Sequence, residues 1–452
     1  MSCEPQLIHI ISDGHQHVAF CPATMVALPV SEAGRAAIEA YLQTSNISLA
    51  AKSAGIDQDD LKALIGSFTD HPSQLVPELP VVADSGSGRQ IDDNAALNRL
   101  VLHVSNDCNL RCLYCYAHGG SYGKPRGNMR RKIAFSSINW ALQAFGSVGH
   151  VQFFGGEPLL NPRLMIEICE FFKSLCDAGK IDKLPVFGVV TNGTVGDERI
   201  IEFLRRYEIA VTVSIDGPAE VHDVIRGKGT FARADRFVKR CLDTGSIRTN
   251  FECTWTTVHV KMGISVVDLV EFFYERYGVR VLHVVPVAAR KGSFLYIDPQ
   301  VKLQAFKEAA RHTVKTLFEG NPRANSLSYR VLESLRKRKP IVLYCPAGAG
   351  TLSVASDGGL YPCFMFAGDE RFRICRFTID GNVHENRADK VSSIIHSCHK
   401  TRHEDCSLCW AEPLCSGCIG GDLIETGDTK QRSGCDTTRA IAEAILLEVS
   451  RA

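Results

Sequence analysis

Three things are missing from this 452-residue chain. There is no excess of either charge: 51 basic residues against 50 acidic ones leave a formal net charge of +1. Nothing there draws the chain to nucleic acid. No apolar run approaches the roughly 18 residues that a membrane-spanning helix needs, so no membrane span is expected. The opening stretch, MSCEPQLIHIISDGHQH, lacks a basic segment followed by an apolar one. No secretory signal is read there, and the expected location is cytoplasmic. Low-complexity tracts and exact repeats are absent as well. What remains is an ordinary globular balance, 45% apolar and 22% charged, in a chain long enough for two or three domains with their own cores.

Cysteine is what the chain has in excess. It carries 18, many for a chain of this size without a secretory signal. A disulfide scaffold suits small secreted domains, and this chain is neither. Cys169, Cys176, Cys241 and Cys253 sit singly inside apolar segments and read as buried thiols. Two regions of the chain have the tight spacing that metal or cluster ligation requires.

The chain divides at residues 84–95, DSGSGRQIDDNA, where Gly, Ser and Asp crowd together as in a linker. Before it, LIHIIS, HVAFCP and MVALPV read as three strands. SEAGRAAIEAYLQT, capped by Ser31, and two shorter segments read as three helices. Strands followed by a helical trio suggest a small winged-helix-like module over residues 1–90. From residue 99 strands alternate with helices: LVLHVS, HVQFFGG, PVFGVVTNG, AVTVSIDG, RTNFECTWT and RVLHVVPV are the strands. Six such units predict an α/β fold, a partial (β/α)6 barrel over residues 99–300. Residues 301–452 begin with helices at about 299–338 and end in a cysteine-rich extension.

The first cysteine group follows the first barrel strand. Cys108, Cys112 and Cys115 form C-x3-C-x2-C, a spacing that arises by chance only about 0.03 times in such a chain. Three thiolates can hold a cubane of four irons and leave one iron open. The loop lies at a strand's C-terminal end, where barrels of this kind place their active sites. Zinc, with His118 as fourth ligand, is the alternative. C-x3-C-x-Tyr114-Cys115 resembles the signature of the radical S-adenosylmethionine (radical SAM) superfamily. That resemblance implies a [4Fe–4S] cluster whose open iron is chelated by S-adenosylmethionine. Further stretches match in order. Gly155-Gly156-Glu157 resembles the family's GGE motif, with Glu157 facing the cofactor's ammonium group. Asn192, in TNG, resembles a segment near the cofactor. Ser214 and Asp216, in SIDGP, with His222 and Arg226 beyond, resemble the run around the ribose and carboxylate. Arg226 is expected to pair with that carboxylate; a structural Asp216–Arg226 ion pair is the other reading.

The second group runs Cys345-x12-Gly358-x4-Cys363, then Cys406-x2-Cys409-x5-Cys415-x2-Cys418, then Cys435. The glycine-rich turn before Cys363 reads as a hairpin that brings its thiol back to Cys345. Paired zinc ribbons are the bland alternative. The pattern resembles the SPASM extension, which carries two auxiliary [4Fe–4S] clusters. One departure is that Cys415-x2-Cys418 is one residue shorter than the family's spacing, which loosens the case for Cys418. The resemblance implies Cys345, Cys363 and Cys418 on the first auxiliary cluster, with Cys375, Cys398 or an open iron as the fourth position. It implies Cys406, Cys409, Cys415 and Cys435 on the second.

With three clusters and S-adenosylmethionine, the resemblance points to a maturase of ribosomally made peptides that forms Cys thioether crosslinks. The quinohaemoprotein amine dehydrogenase maturases are similar. Its implied partners are a precursor peptide, with its leader bound at the N-terminal module by strand addition, and a flavodoxin- or ferredoxin-type electron donor. An anaerobic sulfatase-maturating (formylglycine-generating) enzyme and a C–C or C–O crosslinking cyclase are the alternatives. A scaffold without radical chemistry is a third. No catalytic base can be assigned from the sequence.

Overall fold

A computed structural model describes residues 8–70, Val76, Leu79, 97–384 and 388–451. The 84–95 linker lies outside these residues. Three antiparallel strands open the chain: β1 (His9–Ser12), β2 (His17–Cys21) and β3 (Val26–Val30). Helices α1 (Glu32–Thr44), α2 (Ile47–Ala54) and α3 (Gln58–Asp70) follow. Ser31 Oγ caps α1 by accepting from Gly34 N at 3.1 Å, which fixes where strand becomes helix. Ala19, Cys21, Leu28, Ile38, Leu61 and Phe68 form this module's own small core. The order of strands and helices is the one expected.

The six expected barrel strands are β4 (Leu97–Ser105), β5 (Val148–Gly155), β6 (Val186–Thr191), β7 (Ala210–Ser214), β8 (Thr249–Trp255) and β9 (Val281–Pro286). They lie side by side in sequence order, all parallel. Between them run α4 (Arg131–Phe145), α5 (Pro162–Asp177), α6 (Glu198–Arg206), α7 (Ala219–Arg226), α8 (Thr230–Asp243), α9 (Thr257–Lys261) and α10 (Val266–Tyr277). Side-chain alternation sets the two faces. On β8, Phe251, Cys253 and Trp255 are buried against the outer helices, while Glu252 and Thr254 line the interior. The four lone cysteines behave as expected: Cys169, Cys241 and Cys253 are buried and Cys176 half-buried.

The sheet is wider than six strands. After α11 (Pro299–Phe318), β10 (Ala324–Asn325) adds parallel to β9, and α12 (Ser326–Lys337) follows. On the other side β11 (Thr351–Val354) adds parallel to β4, and β12 (Gly359–Tyr361), β13 (Cys375–Phe377) and β14 (Val383–His384) continue antiparallel. Two-residue β10 carries no alternation to read. β11 covers the edge that β4 would otherwise leave unpaired, and so joins the cysteine extension to the barrel. The expected hairpin is β11–β12. Gly358 (φ 90°) makes its turn, and a Cβ there would lie 2.1 Å from the Phe377 carbonyl oxygen.

Helices α13 (Ala388–Cys398), α14 (Glu404–Ser407), α15 (Ile419–Thr426) and α16 (Cys435–Val449) complete the chain. The N-terminal module docks on this end. His9 stacks on Trp410 at 4.2 Å, and Gln16 Nε2 donates to the Leu447 carbonyl at 2.8 Å. No helix among the described residues is long and apolar enough to cross a membrane.

Candidate functional site

The first cysteine loop is tied to the strand ends by backbone. Gly156 N donates to Ser105 O at 2.8 Å and Glu157 N to Asp107 O at 2.7 Å. This approach needs bare glycine: a Cβ on Gly155 would lie 2.2 Å from Ser105 O, and one on Gly156 2.1 Å from Asp107 O. On the other side Leu113 N donates to Ile225 O at 2.9 Å, pinning the loop to α7. Cys108, Cys112 and Cys115 are half-buried and line one cavity together. N–H groups point at the sulfurs: Leu110 N and Asn192 Nδ2 at Cys108 Sγ, 3.4 and 3.7 Å, and Gly119 N at Cys115 Sγ, 3.3 Å. Such donors stabilise thiolates. Burial pushes the Cys112 thiol up to about 11, so holding a thiolate there calls for a bound cation. His118, the residue the zinc alternative needs, is exposed, with φ 51°. Among the described residues no three His, Cys, Asp or Glu side chains converge on a single metal ion.

Gly155→Ala is therefore expected to cost about 1–3 kcal/mol from its backbone conformation alone, with the carbonyl clash added. Gly14, at φ 87° with open space around it, supplies the reference. Equal urea-unfolding losses for Gly155→Ala and Gly14→Ala would show that the close approach is dispensable.

Glu157 is engaged by the protein itself. It is fully buried. Its Oε1 accepts from Thr191 Oγ1 at 2.8 Å and Leu159 N at 3.0 Å, and its Oε2 from Asn192 N at 2.8 Å. Burial raises its carboxyl to about 7. The side chain thus latches the ends of β5 and β6 behind the cavity wall, and Gly155 and Gly156 supply the wall itself. Asn192 lies beside Cys108, and Ser214 lines the cavity.

Asp216 and Arg226 form an internal pair. Arg226 Nε donates to Asp216 Oδ2 at 2.6 Å and its Nη2 to Oδ1 at 3.3 Å. Tyr114 Oη donates to the same carboxylate at 3.0 Å and accepts from Arg226 Nη2. Thr254 N adds a donor at 3.0 Å. Burial opposes the Asp216 charge, yet the guanidinium beside it holds the carboxyl below its ordinary value. Asp216 is fully buried and takes these bonds within the protein. Tyr114 and Arg226 still line the cavity. His222 is buried, its Nδ1 accepting from Asp216 N at 3.1 Å.

The second group separates into two sets. Cys345, Cys363 and Cys418 line the same cavity as the first loop, and the Cys345 and Cys418 thiols add to the burial that holds Cys363 protonated. Cys406, Cys409, Cys415 and Cys435 form the other set. Burial raises Cys415 to about 12, and Cys435, Cys406 and Cys409 are close enough to add to it. Positive groups surround this set: buried Lys400 donates to Cys415 O at 3.1 Å, and Arg439 Nη1 lies 4.0 Å from Cys409 Sγ. That suits a group of net negative charge. Cys375 sits apart on β13, in the main core.

The cavity that the first loop shares with Cys345, Cys363 and Cys418 measures about 2330 Å³. Its far wall carries a pair that the sequence reading passed over. Glu252 and His283 are direct partners on β8 and β9 and face the interior together. His283 Nδ1 is 2.8 Å from Ser326 Oγ. The signal was present as polar residues inside strands, but only the register puts them on one face.

Fold and donor sets together are those of a radical SAM domain. Residues 102–272 match the Radical SAM superfamily, and with it come S-adenosylmethionine and a [4Fe–4S] cluster, which the glycine wall and the Cys108, Cys112 and Cys115 thiols fit. The chain is similar to the cysteine-type anaerobic sulfatase-maturating enzyme of Clostridium perfringens, 26% identical over 71% of this chain and 88% of that protein. The solved structure of native anSMEcpe with bound AdoMet superposes with a TM-score of 0.63 at 23% identity, over 78% of this chain and 99% of that one. Streptococcus suis SuiB bound to S-adenosylmethionine gives 0.52 at 15% identity over 95% and 98%, and SuiB bound to precursor peptide SuiA gives 0.50. At these identities the three structures establish the shared fold alone.

Proposed function

We propose that this chain is a peptide maturase that oxidatively crosslinks side chains of a ribosomally made precursor, forming Cys thioether bonds. One observation carries the reading: two sets of cysteines, Cys108, Cys112 and Cys115 with Cys345, Cys363 and Cys418, open on the same cavity. Cys108, Cys112 and Cys115 would hold the first cluster. Cys345, Cys363 and Cys418 would hold one auxiliary cluster, and Cys406, Cys409, Cys415 and Cys435 another. When bound, the first cluster with S-adenosylmethionine supplies a 5′-deoxyadenosyl radical that takes a hydrogen atom, and the auxiliary clusters supply an electron acceptor.

The chain's own residues do the rest. Gly155 and Gly156 let the cofactor approach bare backbone. Arg226, its Nε and Nη2 committed to Asp216, presents what remains of its guanidinium, with Tyr114, to the cavity. Joining sulfur to carbon also releases the thiol proton, and we assign the Glu252 carboxylate as its acceptor. No hydrogen bond or ion pair among the described residues engages that carboxylate, and it contributes to raising neighbouring His283 against the larger effect of burial. The cavity has room to hold a peptide segment so that the reacting atoms meet by proximity. The N-terminal module, with β1 and β3 at its sheet edges, would bind the leader by adding a strand. A flavodoxin- or ferredoxin-type protein would be the donor.

Formylglycine generation on a sulfatase is the second reading, favoured by the 26% identity to the sulfatase-maturating enzyme. The two separate in one experiment. Anaerobically reconstituted chain is given S-adenosylmethionine, dithionite and either a Cys-containing peptide encoded beside its gene or a sulfatase-derived Cys peptide. A loss of two hydrogens by mass with an alkylation-resistant Cys, in the first peptide alone, supports crosslinking. An aldehyde on the second peptide replaces it with the sulfatase reading. Removing residues 1–90 is expected to weaken binding of the leader-bearing peptide at least tenfold while cofactor cleavage persists. Equal affinity with and without them rules out recognition by the module.

A further inference from the structure

The proposed auxiliary cluster on Cys345, Cys363 and Cys418 needs a fourth ligand or an open iron, and the two outcomes give different chemistry. An open iron could bind a substrate thiolate. A closed cluster can only exchange electrons. Three candidates stood open in the sequence: Cys375, Cys398 and no protein ligand.

The backbone brings Cys398 to the site. Leu343 and His399 form an antiparallel bridge, and Tyr344 N donates to the Cys398 carbonyl at 2.9 Å. The last residue of α13 therefore lies beside the segment that carries Cys345. Cys345 and Cys398 are partners in the same small core. Cys398 Sγ also reaches the Ala347 carbonyl at 3.4 Å. The side chain is fully buried, in a small core that it shares with Tyr344, Cys345, Tyr361, Phe366 and Ile419 and against which Cys363 packs. A thiol bonded to a carbonyl can be an ordinary core residue. Here it also lies beside the segment that carries Cys345 and in the core against which Cys363 packs.

Cys375 meets none of these conditions. It lies on β13 within the main barrel core, with Phe377 two residues on packed against Trp140. The charged group that reaches its thiol is Arg373.

Position then decides the consequence. Cys345, Cys363 and Cys418 line the cavity; Cys398 does not, and stands on the protein side behind them. A ligand there fills the remaining position from within the wall. We propose that Cys398 is the fourth ligand of the first auxiliary cluster, which is thereby closed to substrate. This rests on the reading that Cys345, Cys363 and Cys418 hold a cluster. It makes that cluster an electron acceptor and leaves the substrate sulfur to be held by the cavity walls.

The test uses the full chain, reconstituted without oxygen and saturated with S-adenosylmethionine so that the first cluster's open iron is occupied. Cys345→Ala, Cys375→Ala, Cys398→Ala and Cys398→Ser are compared with the wild type. Iron and sulfide are counted, and electron paramagnetic resonance is recorded with and without 2-mercaptoethanol as the probe thiol. Serine keeps the side chain's volume and its bond to the Ala347 carbonyl, so Cys398→Ser retains the fold. The wild-type and Cys375→Ala spectra are expected to ignore the thiol. Both Cys398 variants are expected either to lose about four irons per chain, one cubane's worth, or to keep them with an auxiliary signal that shifts on adding thiol. Cys398 variants with wild-type iron and a thiol-insensitive spectrum overturn the proposal, as does a thiol-sensitive auxiliary signal in the wild type. If Cys345→Ala also keeps all its iron, the failure belongs to the underlying cluster reading and not to Cys398.

Discussion

Cys112→Ala is expected to reduce 5′-deoxyadenosine production to the level of a control without protein and to remove about four irons per chain. Cys112 sits in the middle of the three-cysteine loop. Its thiol lies within electrostatic reach of Cys108, Cys115, Asp216 and Arg226. Burial raises it to about 11, while Arg226 pulls the other way. In the metal-free chain the site is thus occupied by a protonated thiol. Metal binding must displace that proton, and alanine offers nothing to replace it. Two thiolates do not hold a cubane against loss of its iron. The loop itself should stay in place, because Leu113 N is bonded to Ile225 O and Glu157 N to Asp107 O whatever residue 112 carries. The remaining iron, held by the second cysteine group on its own ligands, is expected to be unchanged. Anaerobic iron analysis with chromatography of the nucleoside product checks both halves. Wild-type cleavage in an iron-loaded Cys112→Ala chain would remove the starting point of the proposed chemistry.

Much of this arrangement was legible in the sequence, because local patterns carried it. The alternation in RTNFECTWT gave β8, and Ser31 gave the start of α1. The spacing of Cys108, Cys112 and Cys115 on a strand end gave the centre of the site. What was not legible depended on long-range pairing. TLSV reads as a short strand, but nothing in it says that it lies parallel to β4. Glu252 and His283 are 31 positions apart in the chain and become neighbours only through the β8–β9 register. Cys375 and Cys398 could not be told apart because the choice rests on one bridge between residues 343 and 399. Glu157 shows a different limit. A carboxylate at a strand end near a cationic cofactor invites a ligand role, but it takes the three-dimensional course of β6 to show that Thr191 and Asn192 already use both oxygens.

The same competition between ligand and protein governs Asp216, and Asp216→Asn is expected to cost about 3–5 kcal/mol of stability. Asparagine preserves the side chain's volume, so no cavity term enters. What changes is charge. Arg226 is 7% exposed, and its guanidinium has Asp216 as its ion-pair partner, through Nε at 2.6 Å. Leaving that cation buried and unpaired is the large term. Solvent-exposed pairs such as Arg205–Glu202 contribute about 0–1 kcal/mol by comparison. A second term adds to it: the new amide nitrogen must face a donor, either Thr254 N or the Arg226 fork. If the uncompensated charge is the cause, replacing both partners by neutral groups should recover most of the loss. Asp216→Asn combined with Arg226→Met is therefore expected to be more stable than Asp216→Asn alone. Urea unfolding of equally loaded chains measures the difference. The double variant should nevertheless bind S-adenosylmethionine more weakly than the wild type, because Arg226 and Tyr114 share the cavity wall and lose the network that orients them. A single-variant loss under about 1 kcal/mol, the range of a surface pair, would mean that the pair is solvated and free to turn toward a ligand.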